Sequence, residues 1–265
     1  MPDTTYSHGH GDGVLRSHRW RTAANSAAYL LPHLAPGTDL LDVGCGPGTI
    51  TCDLARVVAP GRVVGIDAAA PVVAEARDRS AGVPDVVFEV ADLFALPYAD
   101  DSFDVVHAHQ VLQHVADPVR ALVELRRVCR PGGIVAARDS IYPSFVFAPA
   151  DPDLDRAITA YGALTRVNRA HWDAGRLLLG WAHAAGFTEV APSASVWCFA
   201  TDEERGWWGG LWADRFTSSA MADQLLEHGI ATRDDLGEFA AGWRRWASSP
   251  DGWFAVPHGE ILATA

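Results

Sequence analysis

The strongest indication of fold in this 265-residue chain is the stretch Leu40-Leu41-Asp42-Val43-Gly44-Cys45-Gly46-Pro47-Gly48-Thr49. An apolar run leads into a glycine-rich turn, and a helical pattern follows the turn. Glycines let the backbone approach a ligand closely, and the first turn of a helix presents free N–H groups. The stretch therefore predicts a strand, a ligand-binding turn and a helix, which together form the first unit of an α/β sheet.

The alternation of strand and helix continues through the middle of the chain. Near-continuously apolar runs predict buried parallel strands at residues 38–43, 62–67, 85–90, 103–109 and 133–138. Helical spacing is present at residues 49–58, 71–80 and 117–130, and Pro118 and Pro131-Gly132-Gly133 punctuate the last of these helices. We expect a doubly wound, Rossmann-like α/β fold, because strands separated by right-handed helical crossovers form a parallel sheet.

Further elements surround this core. A helix is predicted at 18–34, a linker and helix rich in Tyr, Pro and Phe at 140–172, a helix at 173–185, a strand at 187–199, helical structure at 201–247 and a strand at 252–264. The last two strands complete a seven-stranded, mostly parallel sheet whose final strand is antiparallel. The predicted units are an N-terminal lid or helical segment (1–36), a Rossmann-like core (37–200), a Trp-rich helical insertion (201–250) and the final strand of the core sheet (251–265).

Composition excludes several classes of protein. The formal net charge of −12 argues against nucleic acid and against anionic membranes, because both attract basic surfaces. No apolar stretch is long enough for a membrane helix, and the polar start MPDTTYSHGHGDG lacks a signal core, so we expect a cytoplasmic protein. All 21 basic residues are Arg, which excludes a lysine general base. The four cysteines are scattered and indicate neither a disulfide framework nor a zinc site.

Acidic residues stand at the ends of three predicted strands. Asp42 precedes the glycine turn, where a carboxylate would repel a pyrophosphate and favour an amino-bearing ligand. Asp67 ends the second strand, where it can accept both hydroxyls of a ribose, and Asp92 with Leu93 follows the third, where they suit an adenine. The alternative is that Asp42 and Asp92 only cap turns.

The order DVGCGPG, GID, ADLFALP, FDVVHAHQVLQHV and RPGGIV resembles the class I S-adenosylmethionine-dependent methyltransferases, and within them the ubiquinone and menaquinone C-methyltransferase group. The match covers residues 37–139. The flanks YSHGHGDGVLRSHRWRTAANSAAYLLPHL and WWGGLWADRF resemble an actinobacterial and fungal branch close to enzymes that methylate indole carbon atoms. The resemblance implies S-adenosylmethionine as cofactor and S-adenosylhomocysteine as product.

Residue roles follow from the resemblance. It implies a cofactor site formed by Asp42, Gly44, Cys45, Gly46, Gly48, Asp67, Ala68, Asp92, Leu93, His109 and Gln110. Tyr6 and His8, with His10, either fold over this site as a lid or belong to a frayed terminus. We predict no metal, because the pairs His8/His10 and His107/His109 have no third ligand at a recognised spacing. We expect His107 to be a core residue and His109 to be functional.

Mechanism requires alignment of the acceptor with the sulfonium methyl group and, for most acceptors, removal of a proton. The candidate bases are His109, His114, Asp139 and Tyr142. Trp172, Trp207, Trp208 and Trp212 are predicted to wall a pocket for a flat substrate; the alternative is that they form a core or a subunit interface, which leaves a homo-oligomer open.

These observations favour methylation of a small cyclic aromatic metabolite. Carbon methylation of an indole in natural-product biosynthesis is preferred, and O- or N-methylation is the alternative. Two other classes stay open. A non-catalytic cofactor-binding regulator would keep the same carboxylates, and turnover distinguishes it. An NAD-dependent dehydrogenase is disfavoured by Asp42 and by the spacing GxGxG in place of GxGxxG.

Overall fold

A computed structural model describes residues 17–265 and confirms the predicted α/β fold. The strands are β1 (Leu40–Val43), β2 (Val63–Asp67), β3 (Val86–Val90), β4 (Phe103–His109), β5 (Cys129–Ser140), β6 (Val146–Ala148), β7 (Val190–Phe199) and β8 (Trp253–Thr264). The α-helices are α1 (Ala23–Ser26), α2 (Thr49–Val58), α3 (Ala70–Arg79), α4 (Pro118–Val128), α5 (Pro152–Val167), α6 (Ala174–Ala184), α7 (Asp202–Thr217), α8 (Ala220–Glu227) and α9 (Arg233–Ser248).

Within residues 17–265 the sheet has the order β3-β2-β1-β4-β5-β8-β6. Strand β7 pairs along the edge of β8 that lies opposite β5 and β6. The neighbouring strands from β3 to β5 are parallel, whereas β8 runs antiparallel to β5, β6 and β7, as predicted for the final strand. The three-residue strand β6 is an addition to the predicted seven strands. The direction of winding reverses between β1 and β4, so this is the switch point where open α/β sheets bind ligands.

Helices cover both faces of the central strands, and successive residues of each strand pack alternately on the two faces. Leu40, Val63 and Val105 share one apolar cluster with α2. Their neighbours Leu41, Val64 and Val106 share a second cluster with α4 and α6. Because successive side chains of a strand point to opposite faces, near-continuous apolar runs are needed when both faces are covered. This arrangement leaves the carboxyl ends of the strands as the place for a site.

A third apolar cluster, which we call the cap core, lies beside the sheet. It joins α5 to α7, α8 and α9 and to the ends of β7 and β8, and most of the tryptophans belong to it. Helices α7 and α9 approach closely, since a Cβ atom added to Gly209 would lie 2.8 Å from the carbonyl oxygen of Trp243. Trp246 Nε1–H donates to the carbonyl oxygen of Ala148 at 3.0 Å and ties α9 to β6.

The structure corrects the helix predicted at 18–34. Residues 17–19 are helical, α1 is one short helix, and a 3₁₀ turn occupies Leu31–His33. Thr22 and Asn25 form a reciprocal capping box that starts α1 anew, and Pro32 lacks the N–H that a continuing α-helix requires. The linker and helix predicted at 140–172 are confirmed by α5, which packs in the cap core, and the linker also contains the short strand β6. The helical insertion predicted between the last two long strands is confirmed, with α7–α9 between β7 and β8, and these two strands pair as an antiparallel hairpin.

Candidate functional site

A cavity of about 420 Å³ opens at the carboxyl ends of β1, β2, β4 and β5. Its wall includes the glycine turn after β1, the end of β2 and residues that follow β4. The described part of the N-terminal segment and helix α7 also contribute to the wall. The volume is in the range of small-molecule sites, which are concave and lie at switch points in sheets of this kind.

The glycine turn faces the cavity at Gly46. Gly46 has φ +55°, and a Cβ atom there would find no other atom closer than His18 Nδ1 at 3.7 Å. A side chain at this position would therefore project into the cavity. Gly48 does not line the cavity; a Cβ atom there would lie 2.7 Å from Phe88 Cζ, so this glycine is required by packing beneath the turn.

Asp67 places a carboxylate at the end of β2, in the cavity wall beside Ala68. Its Oδ2 accepts the backbone N–H of Gly46 at 3.2 Å, and its Oδ1 accepts that of Ala69 at 2.9 Å. Each carboxylate oxygen keeps a further lone pair for a ligand hydroxyl. The contact with Gly46 also ties the end of β2 to the glycine turn.

Asp42 lines the cavity, but its hydrogen bonds run into the core. Oδ1 lies 2.7 Å from His107 Nδ1, and Oδ2 accepts the Thr51 hydroxyl at 2.5 Å. His107 is fully buried, as predicted for a core residue, although its Nε2 has no hydrogen-bond partner among residues 17–265. The pair holds Asp42 in place at the start of the turn. Nearby Cys45 is a neutral part of the wall, because burial raises the pKa of its thiol.

The residues after β3 divide between the cavity and the surface. Leu93 lines the cavity. Asp92 is exposed and outside the cavity wall, and its Oδ1 accepts the backbone N–H of Phe94 at 2.9 Å. In the structure Asp92 therefore caps a turn, the alternative that Asp often satisfies.

His109 is a buried titratable group of the cavity wall. It is 5% exposed, and neither ring nitrogen has a hydrogen-bond partner in the described part of the chain. Burial, with Arg138 and Arg21 nearby, lowers the pKa of His109 well below its usual value. The ring is neutral at physiological pH, so it holds one N–H donor and one free lone pair. Buried polar atoms without partners are rare, and a ligand beside His109 would explain them.

Of the other three predicted bases, two line the cavity and one does not. Tyr142 lines the cavity. His114 also lines it, and its Nε2 lies 3.0 Å from Gln113 Nε2. Burial, together with the positive charges of Arg21 and Arg215, lowers the pKa of His114 to about 3. Asp139 is not part of the wall, which corrects its placement at the site. It is fully buried, its Oδ1 accepts the backbone N–H of Gln113 at 3.2 Å, and burial raises its pKa to about 8.

Two of the four predicted tryptophans reach the cavity. Trp207 and Trp208 on α7 line it. Trp172 instead covers α5, where a Cβ atom added to Gly162 would lie 2.4 Å from Trp172 Cζ3. Trp212 belongs to the cap core and stacks on Trp243 with ring centroids 5.3 Å apart. The structure thus corrects the placement of Trp172 and Trp212. Trp212 lies one helical turn beyond Trp208 on the same face of α7, and at that point α7 packs against α9.

Sequence reasoning missed several residues of the cavity wall. Trp197 reaches it from β7, and its ring centroid lies 5.7 Å from that of His109. Ser140 lines the cavity from the end of β5, one residue beyond Asp139. Side-chain alternation explains this difference, since neighbouring strand residues face opposite sides. A candidate list extended by one residue at the end of the strand would have included Ser140.

The N-terminal segment contributes to the wall through Ser17, His18 and Arg21. Arg21 Nη2–H donates to Gln110 Oε1 at 2.7 Å, which joins this segment to the residues after β4. Tyr6 and His8, predicted as cofactor contacts, lie outside the described residues. No helix of residues 17–265 has the length and apolar character that crossing a membrane requires.

Comparisons with known proteins agree with this geometry. Residues 41–137 match the methyltransferase domain family. An uncharacterized methyltransferase of Schizosaccharomyces pombe is 32% identical over 97% of this chain and 95% of its own length. A ubiquinone/menaquinone biosynthesis C-methyltransferase of Bdellovibrio bacteriovorus is 40% identical over 37% of this chain and 43% of its own length. The expected resemblance to that group is confirmed.

Solved structures show the same fold. Phosphoethanolamine N-methyltransferase 2 of Haemonchus contortus, in complex with phosphomonomethylethanolamine and S-adenosylhomocysteine, has a TM-score of 0.60 and 16% identity to this chain. The alignment covers 96% of this chain and 58% of that chain. Because the S. pombe relative matches from the sheet through the cap helices to the last strand, the chain belongs to the S-adenosylmethionine-dependent methyltransferases and takes S-adenosylmethionine as its cofactor.

Proposed function

We propose that this enzyme methylates a flat aromatic small molecule. The observation that carries the proposal is the division of the cavity wall. The glycine turn and Asp67 form one part, and the rings of Trp197, Trp207 and Trp208 form another, with neutral His109 beside Trp197. Large aromatic side chains bind flat apolar ligands by stacking and edge contacts. The first part suits the cofactor and the second suits the acceptor.

The residues present fit the cofactor. Gly46 leaves open space that a side chain would fill, which suits close approach of the amino-acid end. Asp67 retains lone pairs toward the cavity for the ribose hydroxyls. Leu93 offers an apolar contact for the adenine. Asp92 lies outside the wall and caps a turn through Oδ1, so it is proposed to meet the adenine amino group only from the outer edge of the site. Asp42 orients the turn through His107 and Thr51.

When bound, S-adenosylmethionine supplies an electrophilic methyl group on a sulfonium centre. The chain has to hold the acceptor in line, exclude water and take up the proton that the acceptor loses. We propose His109 as that base, because its neutral ring lines the cavity and has a lone pair without a partner among the described residues. His114 is a weaker candidate, since its Nε2 already contacts Gln113.

Within the aromatic class we favour carbon methylation of an indole. Attack by the indole ring places positive charge on the ring N–H, and a buried neutral histidine can take that proton. The fused rings would lie among Trp197, Trp207 and Trp208. Methylation of oxygen or nitrogen on a similar ring uses the same wall and the same base, so the identity of the product decides between them.

The test is turnover with a panel of acceptors. Purified protein is incubated with S-adenosylmethionine and with indoles, diketopiperazines or quinols, and mass spectrometry detects the methylated product. His109→Asn should lower kcat by about 10²- to 10⁴-fold, and calorimetry with S-adenosylhomocysteine measures separately whether the ring also contacts the cofactor. His33→Asn, an exposed histidine in the Leu31–His33 turn, is the matched control.

Two results would contradict the proposal. Binding of S-adenosylhomocysteine without turnover of any acceptor would favour the non-catalytic regulator. Wild-type kcat in His109→Asn would remove His109 as the base and leave the aromatic acceptor to be judged by the panel.

A further inference from the structure

Ser140 stands where β5 ends beside the end of β4, and the mechanism above does not use it. It is the last residue of β5, it is fully buried, and it lines the cavity. Its register partner on β8 is His258, and Gln110 follows the end of β4. The hydrogen bonds among these three side chains determine which way each of them can donate.

His258 has a defined tautomer. Its Nδ1 lies 2.9 Å from the carbonyl oxygen of Val256, which can only accept, so Nδ1 carries the hydrogen. Burial, with Arg138 nearby, lowers the pKa of His258 well below its usual value, so the ring is neutral. A neutral imidazole has one N–H, and Nε2 is therefore an acceptor.

Gln110 has a defined orientation for the same reason. Its Nε2 lies 2.9 Å from His258 Nε2 and 2.6 Å from Ser140 Oγ, and an amide nitrogen can only donate. Its Oε1 accepts from Arg21 Nη2 at 2.7 Å. A flipped amide would set its oxygen against the lone pair of His258 and its NH₂ group against the guanidinium of Arg21. Both amide hydrogens of Gln110 are therefore directed to His258 and Ser140.

Ser140 is left with the role of a donor. Its Oγ accepts from Gln110, so its own hydroxyl hydrogen does not point along that bond, and the cavity is the space beside it. The backbone adds a second observation. Gln110 has φ +54°, an uncommon conformation for a residue other than glycine, and strain of this kind collects at ligand sites. The strained backbone holds the Gln110 amide against Ser140 and His258.

We propose that Ser140 determines acceptor specificity by donating its hydroxyl hydrogen to an oxygen atom of the methyl acceptor. The acceptor class is then a flat aromatic ring that bears a carbonyl or phenolate oxygen. This inference rests on the proposed function, because it requires the acceptor to lie in the same cavity. Gln110 and His258 are positioning residues, and the Ser140 hydroxyl has no partner to donate to among residues 17–265.

The test measures binding of matched probes by calorimetry to protein saturated with S-adenosylhomocysteine. Indole is compared with oxindole and 4-quinolone, which add a carbonyl oxygen to a flat bicyclic ring. Wild-type protein should bind at least one carbonyl probe about five- to tenfold more tightly than indole, the usual effect of one buried hydrogen bond. Ser140→Ala should reduce that preference to about twofold or less, with unchanged affinity for indole and S-adenosylhomocysteine.

Two further variants sharpen the comparison. Ser140→Cys keeps a similar volume with a weak donor and should give an intermediate preference. Ser80→Ala removes a hydroxyl at the end of α3, outside the cavity wall, and should behave as wild type.

The failures are distinguishable. A preference for the carbonyl probes that persists in Ser140→Ala overturns the role of Ser140. Equal wild-type affinity for indole and both carbonyl probes also overturns it and leaves the aromatic acceptor intact. Absence of binding by all three probes overturns the proposed aromatic acceptor itself, and the inference with it.

Discussion

Alanine substitutions at three glycines separate the packing role of the glycine turn from its ligand-binding role. Gly46, Gly48 and Gly82 all have positive φ, at +55°, +77° and +83°. A Cβ atom would enter the cavity at Gly46, collide with Phe88 at Gly48 and meet nothing within 4 Å at Gly82. Gly82→Ala is therefore the matched control for backbone strain alone.

The magnitudes follow from these surroundings. A left-handed conformation costs a residue with a Cβ atom about 1–2 kcal/mol, and all three variants lose this stability. At Gly48 the Cβ atom would lie 2.7 Å from Phe88 Cζ and 3.1 Å from Ala76 Cβ. Both neighbours are buried, so overpacking adds about 1–3 kcal/mol. We expect Gly48→Ala to lose about 2–5 kcal/mol, and Gly46→Ala and Gly82→Ala about 1–2 kcal/mol.

Two assays measure the difference. Urea unfolding of the ligand-free protein gives the free energy of unfolding, and calorimetry gives the affinity for S-adenosylhomocysteine. Gly46→Ala should lose affinity about tenfold or more, the equivalent of about 1.4 kcal/mol, because its methyl group occupies ligand space. Wild-type affinity in Gly46→Ala would show that the cofactor does not approach this turn. Equal stability of Gly48→Ala and Gly82→Ala would refute the packing role of Gly48.

Three further predictions concern single side chains. Asp67→Ala should weaken calorimetric binding of S-adenosylhomocysteine by about 1–3 kcal/mol, and unchanged affinity would mean that the ribose lies elsewhere. Because burial raises the pKa of Asp139 to about 8, the folded protein keeps a proton that the unfolded chain loses near pH 4. The stability of wild type relative to Asp139→Asn should therefore fall as pH rises from about 4 to about 8 in urea titrations, and a constant difference would contradict the buried protonated carboxyl. Trp212→Ala should lower the free energy of unfolding by about 3–5 kcal/mol, because it leaves a cavity in the cap core. Trp207→Ala should lower the free energy of unfolding less but weaken indole binding. The opposite result would mean that Trp207 is the packing residue and Trp212 the binding residue.

Patterns within short windows predicted much of the fold. The first five strands, the helix after the glycine turn and the helical insertion before the last strand are where the sequence places them, within a few residues except at the start of β5. Gly46 and Asp67 also lie at the cavity, as predicted. These features depend on chain geometry over a few residues, such as side-chain periodicity and the turn that ends each strand.

Predictions of which side chains on a strand or helix face the cavity were less successful. Asp139 and Ser140 are neighbours, yet only Ser140 faces the cavity. Trp208 and Trp212 both belong to the cap core, yet only Trp208 also lines the cavity, because Trp212 stacks on Trp243 one turn further along α7. The register of a strand or the packing of a helix decides such differences.

Local sequence patterns were sufficient to predict the α/β class, the methyltransferase family and the part of the cavity where we propose that the cofactor binds. The part proposed for the acceptor depends on contacts between distant segments. Trp197 reaches the wall from β7, and its Nε1–H donates at 2.6 Å to the carbonyl oxygen of Asn25, 172 residues away along the chain. Such contacts depend on the docking of distant segments, and no local pattern of residues specifies that docking.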